Sequence, residues 1–194
     1  MKRVLLLLAA YAVLTGCQAR PYARELESVM LVQVLGVDWS EGRVELTAAS
    51  EPGADGAALL LSAAGEDLEA ARAALQAAGE EYVSLTHVTQ IVLGAQTDLR
   101  TVLEAALVEP ALSQSATVWL AQEGCAKELL EAAEGGAKRL SSIELNSGVQ
   151  PVTVLQSLMR LEETGRTRTP QLKAGEYGLE WSGTAVWEET GEGR

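Results

Sequence analysis

"RELESVMLVQVLGVDWSEGRVELTAASE", residues 24–51, decides the fold. Val29 to Val37 is a nearly unbroken run of Val, Leu and Met, the composition of a strand covered on both faces. "DWSEG" (38–42) supplies turn chemistry, and Val44, Leu46 and Ala48 then alternate with Glu45 and Thr47. The stretch reads as a β-hairpin whose first strand lies deep in a sheet.

Outward from the hairpin, "PGADGA" (52–57) reads as a loop and "LLLSA" (59–63) as a short returning strand. Residues 65–80 are helical, with Leu68, Ala71 and Leu75 on one face and Gly79 at the end. "SLTHVTQIVLG" (84–94) returns to strand character. Asp98 opens a second helix in which Leu99, Val102, Leu103, Ala106 and Leu107 recur at helical spacing until Pro110. "SATVWLA" (115–121) is a strand, and Ala126, Leu129, Leu130 and Ala133 mark a helix that ends at Gly135-Gly136.

Alternating strands and helices from 84 to 134 demand parallel crossovers beside the antiparallel hairpin. The fold class is therefore mixed α/β (α+β), a mixed sheet flanked by helices. Val32, Val34, Leu35, Ile91, Leu93, Val118 and Leu120 are expected in its core. Residues 135–148 read as a linker with one helical turn, 151–164 as a helix opened by Pro151, and 176–189 as a strand pair or bent strand. These last pieces are expected to form a partial second α/β domain over 135–194, separate from an N-terminal domain over 24–134.

The other end of the chain has its own logic. Lys2 and Arg3 precede an apolar stretch, Val4 to Leu14, of signal-peptide length and too short to span a bilayer. Leu14-Thr15-Gly16-Cys17 resembles a bacterial lipobox. On that reading residues 1–16 are a lipoprotein signal peptide and Cys17 receives a diacylglyceryl group. Residues 17–23 are then a lipidated N-terminus and tether. Formal net charge is −12, or −14 once Lys2 and Arg3 are removed with the signal. Such an acidic chain argues against nucleic acid and against polybasic docking on anionic lipid.

Chemistry-bearing motifs are sparse. His87 is the only histidine, so a histidine-based zinc site or a Ser–His–acid triad has little to draw on. Cys125, near a helix start where a thiol pKa is open to depression, reads as a small buried residue. The acidic clusters Glu66/Asp67/Glu69, Glu80/Glu81, Glu162/Glu163 and Glu188/Glu189 read as solvated surface. Neither a G-x-G-x-x-G nor a G-x-x-x-x-G-K-[ST] loop is written. No catalytic residue, metal site or cofactor is expected, and the chain reads as a non-enzyme.

The lipobox and hairpin, with "SLTHVTQIVLG" and "TVWLAQEGCAKELLEAAEG", resemble in order and spacing the Ger(x)C spore germination lipoproteins. These are the C subunits of nutrient germinant receptors. The family's opening Arg-Glu-[Leu/Ile]-Glu falls on Arg24, Glu25, Leu26 and Glu27, and its Gly-[Ile/Val]-Asp on Gly36, Val37 and Asp38. Its His before an apolar strand ending in Gly falls on His87 and Gly94, and its following helix on Ala126, Glu128 and Leu130. Where the family often carries arginines before its third strand, this chain has Val108, Glu109 and Gln114, so no basic contact carries over. Family members usually continue into a further C-terminal domain, and "SGTAVWEETGEGR" (182–194) resembles the point where it begins. A fragment, a split gene and a short paralogue all fit that ending.

The resemblance implies a non-catalytic subunit, anchored through Cys17 to the outer face of the spore inner membrane. It implies integral membrane A and B receptor subunits as partners, and no cofactor. The alternative from the residues alone is a lipid-anchored extracytoplasmic small-molecule binding protein. A lipid-anchored hydrolase would need a nucleophile–base pair that the sequence does not offer.

Overall fold

The computed structural model describes residues 29–40, 42–51, 58–134, 136–176 and 178–188. The hairpin is β1 (Val29–Ser40) and β2 (Arg43–Ser50), antiparallel, with Ser40 opposite Arg43 and Val37 opposite Leu46. Strand β1 runs through Asp38, so the connection shrinks to residues 41–42, and Gly42 takes φ 74° as tight hairpin turns require. A register shift between Val32 and Val34 marks a bulge.

β3 (Leu60–Gly65) pairs with β2. The expected strand over 84–94 is two strands, β4 (Tyr82–Ser84) and β5 (Gln90–Leu93), each parallel to a different part of β1. Leu85 and Val88 are buried three residues apart, and Val88 N–H donates to the Leu85 carbonyl at 3.1 Å. Burial at that spacing fits a turn and breaks the period of two that a strand needs. β6 (Thr117–Ala121) lies parallel to β5.

β7 (Arg166–Gly175) and β8 (Gly178–Glu188) complete an eight-stranded mixed sheet of order β3-β2-β1-β5-β6-β7-β8, with β4 beside the start of β1. The protein is thus α+β. The sheet continues across the boundary expected between 134 and 135, since β6 and β7 are hydrogen-bonded neighbours.

Among the described residues, five helices cover the two faces. α1 (Leu68–Ala78), α2 (Leu99–Val108) and α5 (Val154–Thr164) pack on the face bearing Leu35, Val37, Leu46, Ile91, Leu93 and Val118. α3 (Ala126–Ala132) and α4 (Ala137–Asn146) pack on the face bearing Val34, Val92, Trp119, Leu172 and Leu179. The apolar run in β1 is explained by this double cover. Leu120 of the expected core, and Leu107 of the apolar spacing read for the second helix, are only partly buried.

α4 replaces the expected linker. Only Leu140 and Ile143 are buried from it, with Ala137 partly so, too weak a periodicity to announce a ten-residue helix. α5 starts later than Pro151 because Thr153 and Gln156 form a capping box. β7 is an unexpected strand, "RTRTPQLKAG", whose inward positions include Thr167 and Thr169 where aliphatic residues would have signalled one. β8 is a single strand, with a register shift at its pairing with Gln171 and Leu172.

Those threonines carry a prediction. Thr167 and Thr169 are 2% and 1% exposed, and neither hydroxyl has a hydrogen-bond partner among the described residues. A buried hydroxyl without a partner costs stability, and valine has nearly the same shape. Thr169→Val is expected to raise the unfolding free energy by about 1 kcal/mol in urea titration. A loss of stability would show that the hydroxyl is bonded.

Candidate functional site

The residues of the sequence pattern meet at one place, where β1 and β5 end and α3 begins. Asp38 Oδ1 accepts from the Ala126 backbone N–H at 2.7 Å, and Oδ2 from the Lys127 N–H at 3.2 Å. One carboxylate thereby takes up two free donors of a helix end 88 residues away in the chain. Gly36, two positions earlier on the same face of β1, provides room for that helix. A Cβ there would stand 2.9 Å from Leu130 Cδ1 and 3.3 Å from Ala126 Cβ. Ala126 and Leu130 are fully buried against it.

Val37 points to the opposite face and is buried, while its carbonyl accepts from the Gly94 N–H at 3.0 Å and from the Thr97 hydroxyl at 3.3 Å. Thr97 Oγ1 in turn accepts from the Trp39 N–H at 3.1 Å. Gly94 leaves no room for a side chain, because a Cβ there would collide with Asp38 Oδ1. Beside this clamp, Lys127 Nζ donates to Glu45 Oε1 at 2.9 Å, and Glu45 lies opposite Asp38 in the hairpin.

The electrostatics fit support more than reaction. Burial pushes the Asp38 carboxyl above its ordinary value; the Ala126 and Lys127 amides pull it down, and Glu45 and Glu128 add to the rise. The Glu45 carboxylate holds the Lys127 ammonium above the usual range. Cys125 is the N-cap residue of α3, and its Sγ accepts from the Glu128 N–H at 3.5 Å. Burial nevertheless pushes its thiol up, so its place at a helix start does not activate it, and the side chain is half-buried where the sequence implies a buried one. Glu128 itself is exposed.

His87 sits exposed in the turn between β4 and β5, not within a strand, and its Nδ1 lies 3.1 Å from the Thr86 hydroxyl. The acidic clusters do structural work where they are paired. Asp67 caps α1, Glu162 meets Arg100 at 2.9 Å, and Glu188 meets Arg166 at 3.3 Å. Among the described residues, no three His, Cys, Asp or Glu side chains are grouped to hold a metal ion, and no helix is long and apolar enough to cross a membrane. Cys17 and the run Arg24, Glu25, Leu26, Glu27 lie outside the described residues.

Two open grooves lie on the described surface. One, of about 730 Å³, runs between α1 and α2 past Trp39, Arg72 and Glu109, with Arg72 and Glu109 paired at 3.3 Å. The other, of about 390 Å³, lies between the α4–α5 connection and the β7–β8 hairpin, beside Trp181. Nothing local in the sequence marks Trp181 as surface, since an alternating strand offers two faces and only the sheet decides which is covered.

A sequence-family model described as "Spore germination protein N-terminal domain" matches residues 22–173. No curated protein and no solved structure matches the chain.

Proposed function

We propose, on the premise that the chain belongs to the spore germination protein N-terminal domain family, that it is a lipid-anchored, non-catalytic subunit of a germinant receptor. Its role in spore germination follows from the family. The finer reading has three parts. Cys17 carries a diacylglyceryl anchor at the outer face of the spore inner membrane. The folded domain works through contact with the integral membrane A and B subunits. No residue of the chain performs a reaction.

The observation that carries the reading is the clamp at Asp38. The polar residue of the family-like Gly36-Val37-Asp38 motif has both oxygens engaged by backbone amides, and Gly36 and Gly94 make space. The motif thereby supports architecture, which leaves function to surfaces. The geometry also limits where those surfaces act. Residues 18–23, fully extended, reach at most about 20 Å, and β1 begins at Val29, within about 40 Å of Cys17. Partners must therefore meet the domain close to the bilayer.

The test is fractionation of the full chain. The native protein is expected in the membrane fraction, released by detergent and not by salt, because a chain of net charge −12 has no polybasic attraction to screen. Cys17→Ser is expected to block lipid attachment and cleavage and to weaken co-purification with the membrane subunits through lost local concentration. A Cys17→Ser protein that still fractionates with membranes at mature mass would overturn the anchor.

A further inference from the structure

We propose that the groove between the α4–α5 connection and the β7–β8 hairpin is a docking slot for an extended, acidic peptide segment of a partner protein. The inference rests on the reading that the chain works through contacts, and it does not depend on the anchor.

Three observations meet there. The first is a strand edge that no second strand pairs, exposed at Arg166 and Arg168. β6 pairs with β7 only at Leu120–Gln171 and Ala121–Leu172, and β6 is instead bridged at Thr117 by Thr153. Residues 166–170 of β7 pair on one side only, with β8. Alternate backbone groups of that stretch turn away from β8, and Pro170 removes one donor from it. An unpaired edge beside a groove is what an added strand uses.

The second is an aromatic platform. Trp181 is 40% exposed, and its indole N–H donates to the Gly183 carbonyl across the register shift in β8. That bond ties the ring to the backbone at the irregularity, the kind of place where a strand re-aims a side chain. Val149, Val152 and Val186 extend the apolar lining, and Val186 is 56% exposed.

The third is charge. Arg160 and Arg168 both line the groove and are exposed, and neither guanidinium has a carboxylate partner among the described residues. Elsewhere Arg72, Arg100, Lys127, Arg166 and Lys173 are paired with carboxylates, and Arg139 donates to the Leu179 carbonyl; Arg160 and Arg168 differ from these in lining one groove together. In a chain of net charge −12, two unpaired arginines flanking an apolar slot select a segment bearing carboxylates. Arginine and tryptophan are also the side chains that most often dominate binding energy in such slots.

The experiment titrates the full chain, in detergent, with three probes: an end-blocked peptide of alternating Glu and Val, the same peptide with Lys for Glu, and free glutamate. Calorimetry gives affinity, and the change in tryptophan emission that disappears in Trp181→Phe gives location. The Glu–Val peptide is expected to bind, to weaken as salt rises, and to lose about tenfold or more in affinity with Arg160→Glu/Arg168→Glu or Trp181→Ala. These residues are exposed, so the variants are expected to keep the native circular dichroism spectrum. Absence of peptide binding, equal binding of the Lys peptide, or unchanged affinity in natively folded variants would each overturn the proposal. Free glutamate binding as tightly as the peptide would overturn it too, because the site would then take a small anion and not a strand. None of these outcomes depends on Cys17, so the anchor and the slot fail separately.

Discussion

Trp119→Ala is expected to lower the unfolding free energy by about 3–5 kcal/mol, among the largest losses available to one substitution in this chain. Trp119 is fully buried in β6, on the face covered by α3 and α4, within the cluster that includes Val92, Leu130, Leu140 and Leu172. Truncation would leave a cavity at the centre of that layer, bounded by sheet and helices that collapse only in part. It would also strand a polar group. The indole N–H donates to Gln90 Oε1 at 2.6 Å, and Gln90, 5% exposed, donates onward to Glu144 on α4 at 3.2 Å. Trp119→Phe separates the two effects, since it keeps most of the packing and removes the bond. Its cost is expected near 1–2 kcal/mol. Urea titration followed by far-ultraviolet circular dichroism measures both, because tryptophan emission is itself altered. A loss below about 1 kcal/mol for Trp119→Ala would mean that α3 and α4 do not cover this face.

The sequence made one layer of this core far plainer than the other. α1 and α2 repeat leucines, valines and alanines at helical spacing, so the face they cover was readable from periodicity. α4 contributes only Leu140 and Ile143 to the core between polar residues, and its helix depends on the sheet beneath it. β7 was hidden for a similar reason. Its buried positions include threonines and Pro170, a residue that excludes a central strand unless the neighbouring edge is open. No second strand pairs with β7 there, because it diverges from β6. The clamp was legible only as residues, not as a device. "GVDW" reads locally as the approach to a turn, and nothing near Asp38 says that its partners are the amides of Ala126 and Lys127. The docking slot was less legible still, since an exposed Trp181 in an alternating strand looks like any half-buried one until the sheet is assembled.

Gly94→Ala is expected to destabilise the protein by about 2–3 kcal/mol, and to do so through Asp38. Gly94 does not have a positive φ, so its glycine is required for space and not for backbone freedom. The added methyl would collide with Asp38 Oδ1, and the carboxylate must leave the α3 amides to avoid it. Asp38→Ala alone removes the same cap and is expected to cost about 1–2 kcal/mol. The double variant Asp38→Ala/Gly94→Ala is then expected to lose about 1–2 kcal/mol less than the two single losses added together, because the carboxylate is gone and only the milder approach to Thr97 Oγ1 at 3.3 Å remains. Strict additivity would show that the methyl meets something else. The charge state adds a second readout. Burial raises the folded-state value of the Asp38 carboxyl above its unfolded one, so the folded protein binds this proton more readily. The associated stability is fully present below the unfolded value and is lost as pH rises through the folded one. The native protein is therefore expected to gain on Asp38→Asn, which does not titrate, as pH falls from neutrality towards the carboxylate range. A gap that instead narrows on acidification would mean that the two amides outweigh burial, and that Asp38 is held below its ordinary value.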